Sequence, residues 1–573
     1  MTTQILMTEE ILEQIMAFIV EKQPESKVAF DDLRRKKCSA LKISQPANRK
    51  LLKAYHRLIK KGSITADTQI EHFLRKANIR SMSGIAVVTS LTKPYMCPGK
   101  CVYCPTEVRM PKSYLASEPA AARSMRLDFD PYELMQKRIE MMEDNGHPCD
   151  KIEYIVKGGT WNAYPLKYQY WYILESFRAC NNLKSDTPSK RTCEDDWKEK
   201  TVKDLQKEML IEQEKNESTK YRIIGLTLET RPDAISPKTI WHMRNMGCTR
   251  IELGLQAPDD KILDLIQRGH SVDQFRRAMH LLRKAGFKVD LHFMPDLPGS
   301  TPDHDVEMYK SLFTDESLKP DMVKIYPNTV IPSAELYEWY KDGRYTPYKE
   351  EELFEALLQM KEVTPRYCRI SRLIRDIPEN EIMAGNRITN LRQHLETILH
   401  KRGKICQCLR CREIGRQMKH VPKDTTPILF IDEYQTVGGK EFFITFEDPK
   451  RIAVFGFLRL RLPEEVHKDI NWISQKEDTN NGKELFSLLP EIKDCAFIRE
   501  LHTYGQLIGI GQKGNSDASQ HKGLGKRLIK AAEDIVQKHG YTKCAVISGV
   551  GVKGYYEKLD YKKEGTYVVK HFN

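Results

Sequence analysis

The chain has 573 residues, with 92 Lys and Arg against 79 Asp and Glu, a formal charge of +13. That length exceeds one ordinary core, so roughly three or four domains are expected. No run of about eighteen apolar residues occurs, which excludes an apolar membrane span, and the positive surplus suits an anionic partner.

Residues 1–81 begin with acidic positions set inside an apolar pattern, which predicts an amphipathic helix and not a signal peptide. Helical spacing is clear at Ile11, Ile15, Phe18 and Ile19, and again at Leu51, Leu52, Leu58 and Ile59. Between Lys27 and Lys61, 12 of 35 residues are Lys or Arg, with Tyr55 and His56 among them. Such a patch neutralises phosphates, and an aromatic beside it can stack on an exposed base. A helical basic segment that binds nucleic acid is the expectation.

Residues 82–385 alternate short β-rich runs with helical stretches. Strands are expected near 85–88, 152–156, 223–228, 251–255, 289–293 and 322–326, as repeated βα units around a parallel sheet. A partial (β/α) barrel would place chemistry at the C-terminal strand ends. After the first strand come Cys97, Cys101 and Cys104, spaced C-x3-C-x2-C. Cysteine thiolates hold iron–sulfur clusters, usually four at a time; three on one loop leave an iron open for a ligand. A structural zinc knuckle wants a nearby fourth ligand and C-x2-C pairs, and neither follows.

Further strand ends carry polar candidates. Lys157, Gly158, Gly159 and Thr160 end the second, where glycine lets backbone approach a ligand. Glu229 ends the third, beside Arg231; Glu252 and Gln256 flank Gly254 at the fourth; Lys324 ends the sixth. Lys157 and Lys324 could meet an anionic substrate or lie on the surface. Residues 184–219 are charged and poor in apolar side chains, so an exposed insertion with a solvated helix is expected.

The chain has 14 cysteines, and six fall in two tight clusters, a pattern of metal sites in a reducing compartment, so the cytoplasm is expected. The second cluster is Cys406, Cys408 and Cys411 within residues 386–424. Its spacing suits zinc, with His394, His400, His420 or Cys368 as fourth ligand; a second iron–sulfur cluster is the runner-up.

Residues 425–573 form a separate α/β unit. Gln520, His521, Lys522, Gly523, Leu524, Gly525 and Lys526 lie between a strand near 498–504 and an amphipathic helix. Glycines there let backbone N–H groups face an anion at a helix N-terminus, which suits the pyrophosphate of coenzyme A. A P-loop would end in Gly-Lys-Ser/Thr, which is absent. Tyr555 or Tyr556 could protonate a leaving thiolate, with Glu500 and His502 as polar partners near the acyl group.

The loop at 97–104 resembles that of radical S-adenosylmethionine (radical SAM) enzymes, and Gln520–Gly525 resembles the acetyl-CoA site of GNAT acetyltransferases. The first resemblance implies a 4Fe-4S cluster on Cys97, Cys101 and Cys104, S-adenosylmethionine at its open iron, and a protein reductant. Methionine-group contacts at Gly158–Thr160 are implied too, although Thr160 stands where an acidic residue is usual. The motif order, with Leu228–Asp233, Met294–Pro298 and Arg375–Pro378, is similar to the Elongator catalytic-subunit family in its microbial form, since eukaryotic members have a longer gap between the first two cysteines. It implies carboxymethylation of the wobble uridine of tRNA from acetyl-CoA, a zinc between the two catalytic domains, a monomer or homodimer, and Elongator accessory subunits only in a eukaryotic setting. The competing expectation is a protein lysine acetyltransferase whose iron–sulfur domain is structural.

Overall fold

The computed structural model describes residues 7–75, 84–422, 424–464, 470–504 and 523–572. The first segment is four helices, α1 (Glu9–Glu21), α2 (Lys27–Ala40), α3 (Asn48–Lys60) and α4 (Thr68–Leu74). Thr8, Ser26 and Asp67 cap α1, α2 and α4 by accepting backbone N–H bonds. Their apolar faces close on a small core of Leu12, Ile15, Phe30, Leu51 and Leu58. Tyr55 belongs to that core: it is fully buried and its hydroxyl bonds the Asp67 backbone. It is therefore not free to stack on a base, and the surrounding basic residues mislead because they occupy the other face of α3. Some of those are paired as well, Arg57 and Lys61 with Glu13, and Lys53 with Asp144.

Seven strands follow as an all-parallel sheet in sequential order: β1 (Ala86–Leu91), β2 (Lys151–Lys157), β3 (Arg222–Thr230), β4 (Cys248–Gln256), β5 (Lys288–Phe293), β6 (Met322–Ile325) and β7 (Arg369–Arg372). Sequential parallel order with crossover helices curls into a partial barrel. Every residue of β4 is buried, as expected for a central strand covered on both faces.

Residues 184–219 are exposed over much of their length, but their longer helix is not solvated all round. Helix α6 (Val202–Asn216) buries Leu205 and Met209 against α5 (Leu166–Asn182). Charged residues suit this seam because they pair across it: Arg178 Nη2 donates to Glu208 at 2.5 Å and Asn181 Nδ2 to Glu212 Oε2 at 2.8 Å. A buried polar pair carries no apolar signature in sequence.

The C-terminal unit is a second seven-stranded sheet: β8 (Ile428–Thr436), β9 (Gly439–Glu447), β10 (Val454–Pro463), β11 (Ala496–Thr503), β12 (Lys543–Val546), β13 (Lys562–Glu564) and β14 (Tyr567–His571), in the order β8-β9-β10-β11-β12-β14-β13. Only the β11–β12 pairing is parallel among them. Helix α7 (Leu524–Lys538) packs Leu524, Leu528, Ala532 and Val536 onto this sheet. Barrel and C-terminal sheet share one continuous core, in which Phe287 and Leu291 join Phe457 and Phe497. Among the described residues no helix is long and apolar enough to cross a membrane.

Candidate active site

The cysteine loop leaves the C-terminal end of β1 and is locked down by backbone bonds from Val102 N to Ile266 O (3.1 Å) and from Leu336 N to Val102 O (2.8 Å). Cys101 is buried and Cys97 and Cys104 are partly covered. Gly99 permits a close approach: a Cβ there would stand 2.3 Å from Arg231 Nη1. Cys97 Sγ lies 3.5 Å from Thr160 Oγ1 and accepts from Gly99 N at 3.4 Å. Among the described residues, the sulfurs of Cys406, Cys408 and Cys411 all lie within 4.8 Å of one another, a single-ion spacing, whereas Cys97, Cys101 and Cys104 are not so tightly gathered. Cys101 and Cys104 stand within hydrogen-bonding reach of each other, and with Cys97 they put three thiolates on one loop, which suits the corners of a cluster.

Behind the loop, strand ends bring charged side chains to the barrel floor. Lys157 and Lys324 both pair with Glu252; Lys157 also stands 3.5 Å from Glu229, and Lys324 3.7 Å from Asp290. His292 Nε2 is 3.2 Å from Glu252, and Tyr114 donates to Glu229 at 2.7 Å. Burial opposes ionisation of Glu229, but Lys157 and Lys324 outweigh it and hold its carboxyl down at about 2. Burial lowers His292 to about 3, so it is neutral near pH 7. Both lysines are consumed by Glu252, which places them in the site and removes them from free contact with a substrate anion. Glu229, Glu252 and His292 could ligate an ion, yet Lys157 and Lys324 already hold Glu252 at that corner.

The floor is incompletely paired. Thr230 Oγ1, Glu252 Oε1, Gln256 Oε1 and Asp290 Oδ1 are buried without a hydrogen-bond partner. Leaving such atoms unmade costs about 1–3 kcal/mol each. A ligand rich in donors, such as a ribose or an amino group, would satisfy them, so the residues present fit S-adenosylmethionine. Gly159, at φ +84°, turns the chain at this rim and lines the cavity with Thr160. Gly158 does not line it; a Cβ there would run into Thr92 Oγ1.

One cavity of about 770 Å³ runs from the cysteine loop across this floor to the C-terminal sheet, where Phe457, Glu500, His502 and Tyr504 line it. Glu500 is already paired, with Arg459 at 2.9 Å and Lys288 at 3.5 Å. Burial opposes its ionisation, but Lys288 and Arg459 hold it at about 2. It is thus a positioned anion and a poor proton acceptor. His502 differs: burial lowers its pKa, and its Nε2 is buried without a partner. Tyr555 is partly exposed and Tyr556 is a core aromatic packed on Tyr561; neither lines the cavity. Tyr555 does face α7, its hydroxyl 2.7 Å from where a Cβ on Gly525 would sit. Gly523 caps α7 at φ +94°, with Lys526 and Arg527 in the first turn. Gln520, His521 and Lys522 lie outside the described residues.

The sequence reading missed Tyr114, Asp290, His292, Arg268, Arg369, Arg410, Arg416 and Tyr504. The run Arg369-Ile370-Ser371-Arg372 carried a signal, two arginines flanking a short apolar strand run at the barrel, although Arg369 is also paired with Glu413. Arg369, Arg410 and Arg416 line the cavity around Glu413. Burial, then the neighbouring arginines, lower Arg410 to about 9. This corner wants an anion.

At the second cysteine cluster, none of the three histidines approaches. His394 packs edge-on against Phe354 at 5.4 Å, and His400 and His420 are exposed. Cys368 is buried, its carbonyl accepting from Leu409 N. The group beside Cys411 Sγ is Glu396 Oε1, at 3.6 Å, with Lys361 Nζ at 3.9 Å.

A partial parallel barrel with a thiolate loop after its first strand is the framework of a radical SAM protein. Family models described as the Radical SAM superfamily and the Radical SAM C-terminal domain match residues 92–312 and 320–401. A Methanocaldococcus infernus protein named tRNA uridine(34) acetyltransferase is 38% identical, over 92% of this chain and 92% of its own. Elongator complex protein 3 of Danio rerio is 33% identical over 87% and 86%. A solved structure described as the archaeal Methanocaldococcus infernus Elp3 with an N-terminal deletion superposes with TM-score 0.67 at 35% identity, covering 86% of this chain and all of that one. The chain belongs to this family of radical SAM proteins, that of the tRNA uridine(34) acetyltransferases and Elongator complex protein 3.

Proposed function

We propose that the chain is a tRNA-modifying enzyme that adds a carboxymethyl group to carbon 5 of the wobble uridine, using acetyl-CoA as carbon source. The observation that carries this reading is the single cavity lined at one end by the cysteine loop and at the other by His502 and Tyr504 of the acetyltransferase-type sheet. Two chemistries that act on one carbon need one chamber.

Cys97, Cys101 and Cys104 would hold a 4Fe-4S cluster, and Thr230, Glu252, Gln256 and Asp290 would accept from S-adenosylmethionine. Bound together, the two supply a 5′-deoxyadenosyl radical, able to take hydrogen from an acetyl methyl group that no side-chain base removes at neutral pH. Tyr114, which donates to Glu229 at 2.7 Å, would orient that floor carboxylate toward the bound groups. The N-terminus of α7, with Gly523 and Gly525 leaving its N–H groups open and Lys526 beside them, would receive the coenzyme A pyrophosphate. His502 Nε2, neutral and unpartnered, would bond the thioester or the water that hydrolyses it. Arg369, Arg410 and Arg416 would meet the phosphates of a single-stranded anticodon loop, and the base would enter the cavity turned out of its stack. Cys406, Cys408 and Cys411, whose sulfurs are gathered at single-ion spacing, would hold one zinc. A low-potential one-electron donor is the further partner required.

The test is anaerobic reaction of the protein with reductant, S-adenosylmethionine, acetyl-CoA and tRNA, followed by nucleoside mass spectrometry. Carboxymethylated uridine at position 34 is expected, and Cys101→Ser should reduce it to background. Acetyl-lysine on protein with unchanged tRNA would replace this reading with that of a lysine acetyltransferase.

A further inference from the structure

Beside the cysteine loop lies a cation that no step above uses. Arg268, 7% exposed, directs Nη1 at Cys101 Sγ, 3.5 Å away. Its other nitrogens are fixed: Nη2 donates to Gly254 O at 2.7 Å and Nε to His270 Nε2 at 3.0 Å. A guanidinium keeps its proton in proteins, so His270 Nε2 must accept, and the imidazole is neutral; burial, then Arg268, lower His270 to about 4.

The surroundings are built to seat this side chain. A Cβ on Gly254 would stand 2.5 Å from Arg268 Nη2. Arg231, itself buried, donates Nη1 to Arg268 O at 2.9 Å and Nη2 to Gly269 O at 3.2 Å, and Asp233 fixes its Nε at 2.9 Å. The bond from Val102 N to Ile266 O ties the cysteine loop to the same turn. A charged donor aimed at a ligand sulfur from a desolvated wall has few structural rationales, since its carbonyl bonds could be met by a neutral group.

We propose that Arg268 is a positioning residue that donates a charged hydrogen bond to the Cys101 thiolate and thereby sets the reduction potential of the cluster held there. The inference rests on the cluster reading above. Three thiolates around a doubly positive cluster leave a negative assembly, and one added electron makes it more negative. A fixed buried cation favours the reduced form, and hydrogen bonds to ligand sulfur act in the same direction. One electron enters from the external low-potential donor, which is oxidised by one electron. No proton moves, because Arg268 is protonated in both states.

The experiment is EPR-monitored redox titration of the reconstituted full chain, comparing wild type with Arg268→Gln and Arg268→Lys. For Arg268→Gln at full iron and sulfide content, reduction should become harder by about tenfold, about 59 mV for one electron. Arg268→Lys, which keeps the charge and loses the fork, should fall between the two. The wild-type midpoint should not depend on pH between 6 and 9, as a non-titrating donor requires. If Arg268→Gln fails to load, Arg268→Lys decides: a midpoint below wild type supports the proposal and an unchanged one overturns it. Loaded Arg268→Gln with a wild-type potential, or a midpoint that follows pH, also overturns it. Wild-type protein without an iron–sulfur signal would instead sink the cluster reading.

Discussion

Two clusters of buried charge lie about one strand length apart, and they are built differently. At the seam between barrel and C-terminal sheet, Asp321 precedes β6 and meets Arg499 on β11; Glu441 on β9 meets Arg283, Arg461 and Arg499. Arg459 bridges Glu500 and the carbonyls of Asp321 and Tyr367. The carboxylate oxygens of Asp321 and Glu441 all accept a bond. On the barrel floor, Glu252 and Asp290 each keep one oxygen without a donor. Both regions are desolvated, so burial does not distinguish them. The anions do: at the seam every carboxylate oxygen of Asp321 and Glu441 has its donor, although Arg459 Nη1 and Arg461 Nε have none, whereas on the floor it is the acceptors that lack a partner and suit a donor-rich ligand.

The comparison breaks first at the seam. Asp321→Asn leaves Arg499 and Arg459 without their shared anion, and removing one partner of a buried pair costs about 3–5 kcal/mol. A large drop in the urea midpoint is expected; a variant as stable as wild type would mean the network is slack. Glu500→Gln should cost less and should do so in a pH-dependent way. Glu500 is held at about 2 in the folded chain, against about 4.3 unfolded. Its contribution is therefore full above about pH 4.3 and lost as pH falls toward 2. Urea unfolding between pH 3 and 7 should show wild type ahead at neutral pH and the gap narrowing in acid. A constant gap would remove Glu500 from the ionic joint.

Why the seam was illegible follows from its position. Arg459 and Arg461 alternate with Leu458, Leu460 and Leu462 along β10, which reads as a strand with one wet face. That face is covered by the barrel, and pairing with Asp321 and Glu441 is a contact between distant parts of the chain. Tyr55 and α6 escaped for the same reason, since a charged neighbourhood conceals a side chain turned inward. The parallel sheet was legible because β-rich runs separated by helical spacing force parallel crossovers, although β7 (Arg369–Arg372) lay outside the expected runs. Both cysteine loops were legible because their spacing is local. The open acceptors were not, because a missing partner has no residue letter; Lys157 and Lys324 were visible as cations, but only the fold brings them both to Glu252.

The smallest effect tests the floor. Thr230 is buried at the end of β3 with its hydroxyl unpartnered, and Thr230→Val keeps the shape of the side chain while deleting that hydroxyl. If the Thr230 hydroxyl serves a ligand and not the fold, removing it should leave stability unchanged or slightly raised. Binding of S-adenosylmethionine should weaken by about 1 kcal/mol, roughly fivefold, as for one lost hydrogen bond. Isothermal titration of the reconstituted protein and its urea midpoint give the two numbers together. Lost stability with unchanged affinity would assign Thr230 to the same kind of closed joint as Asp321, and the distinction between the two clusters would fail at that residue.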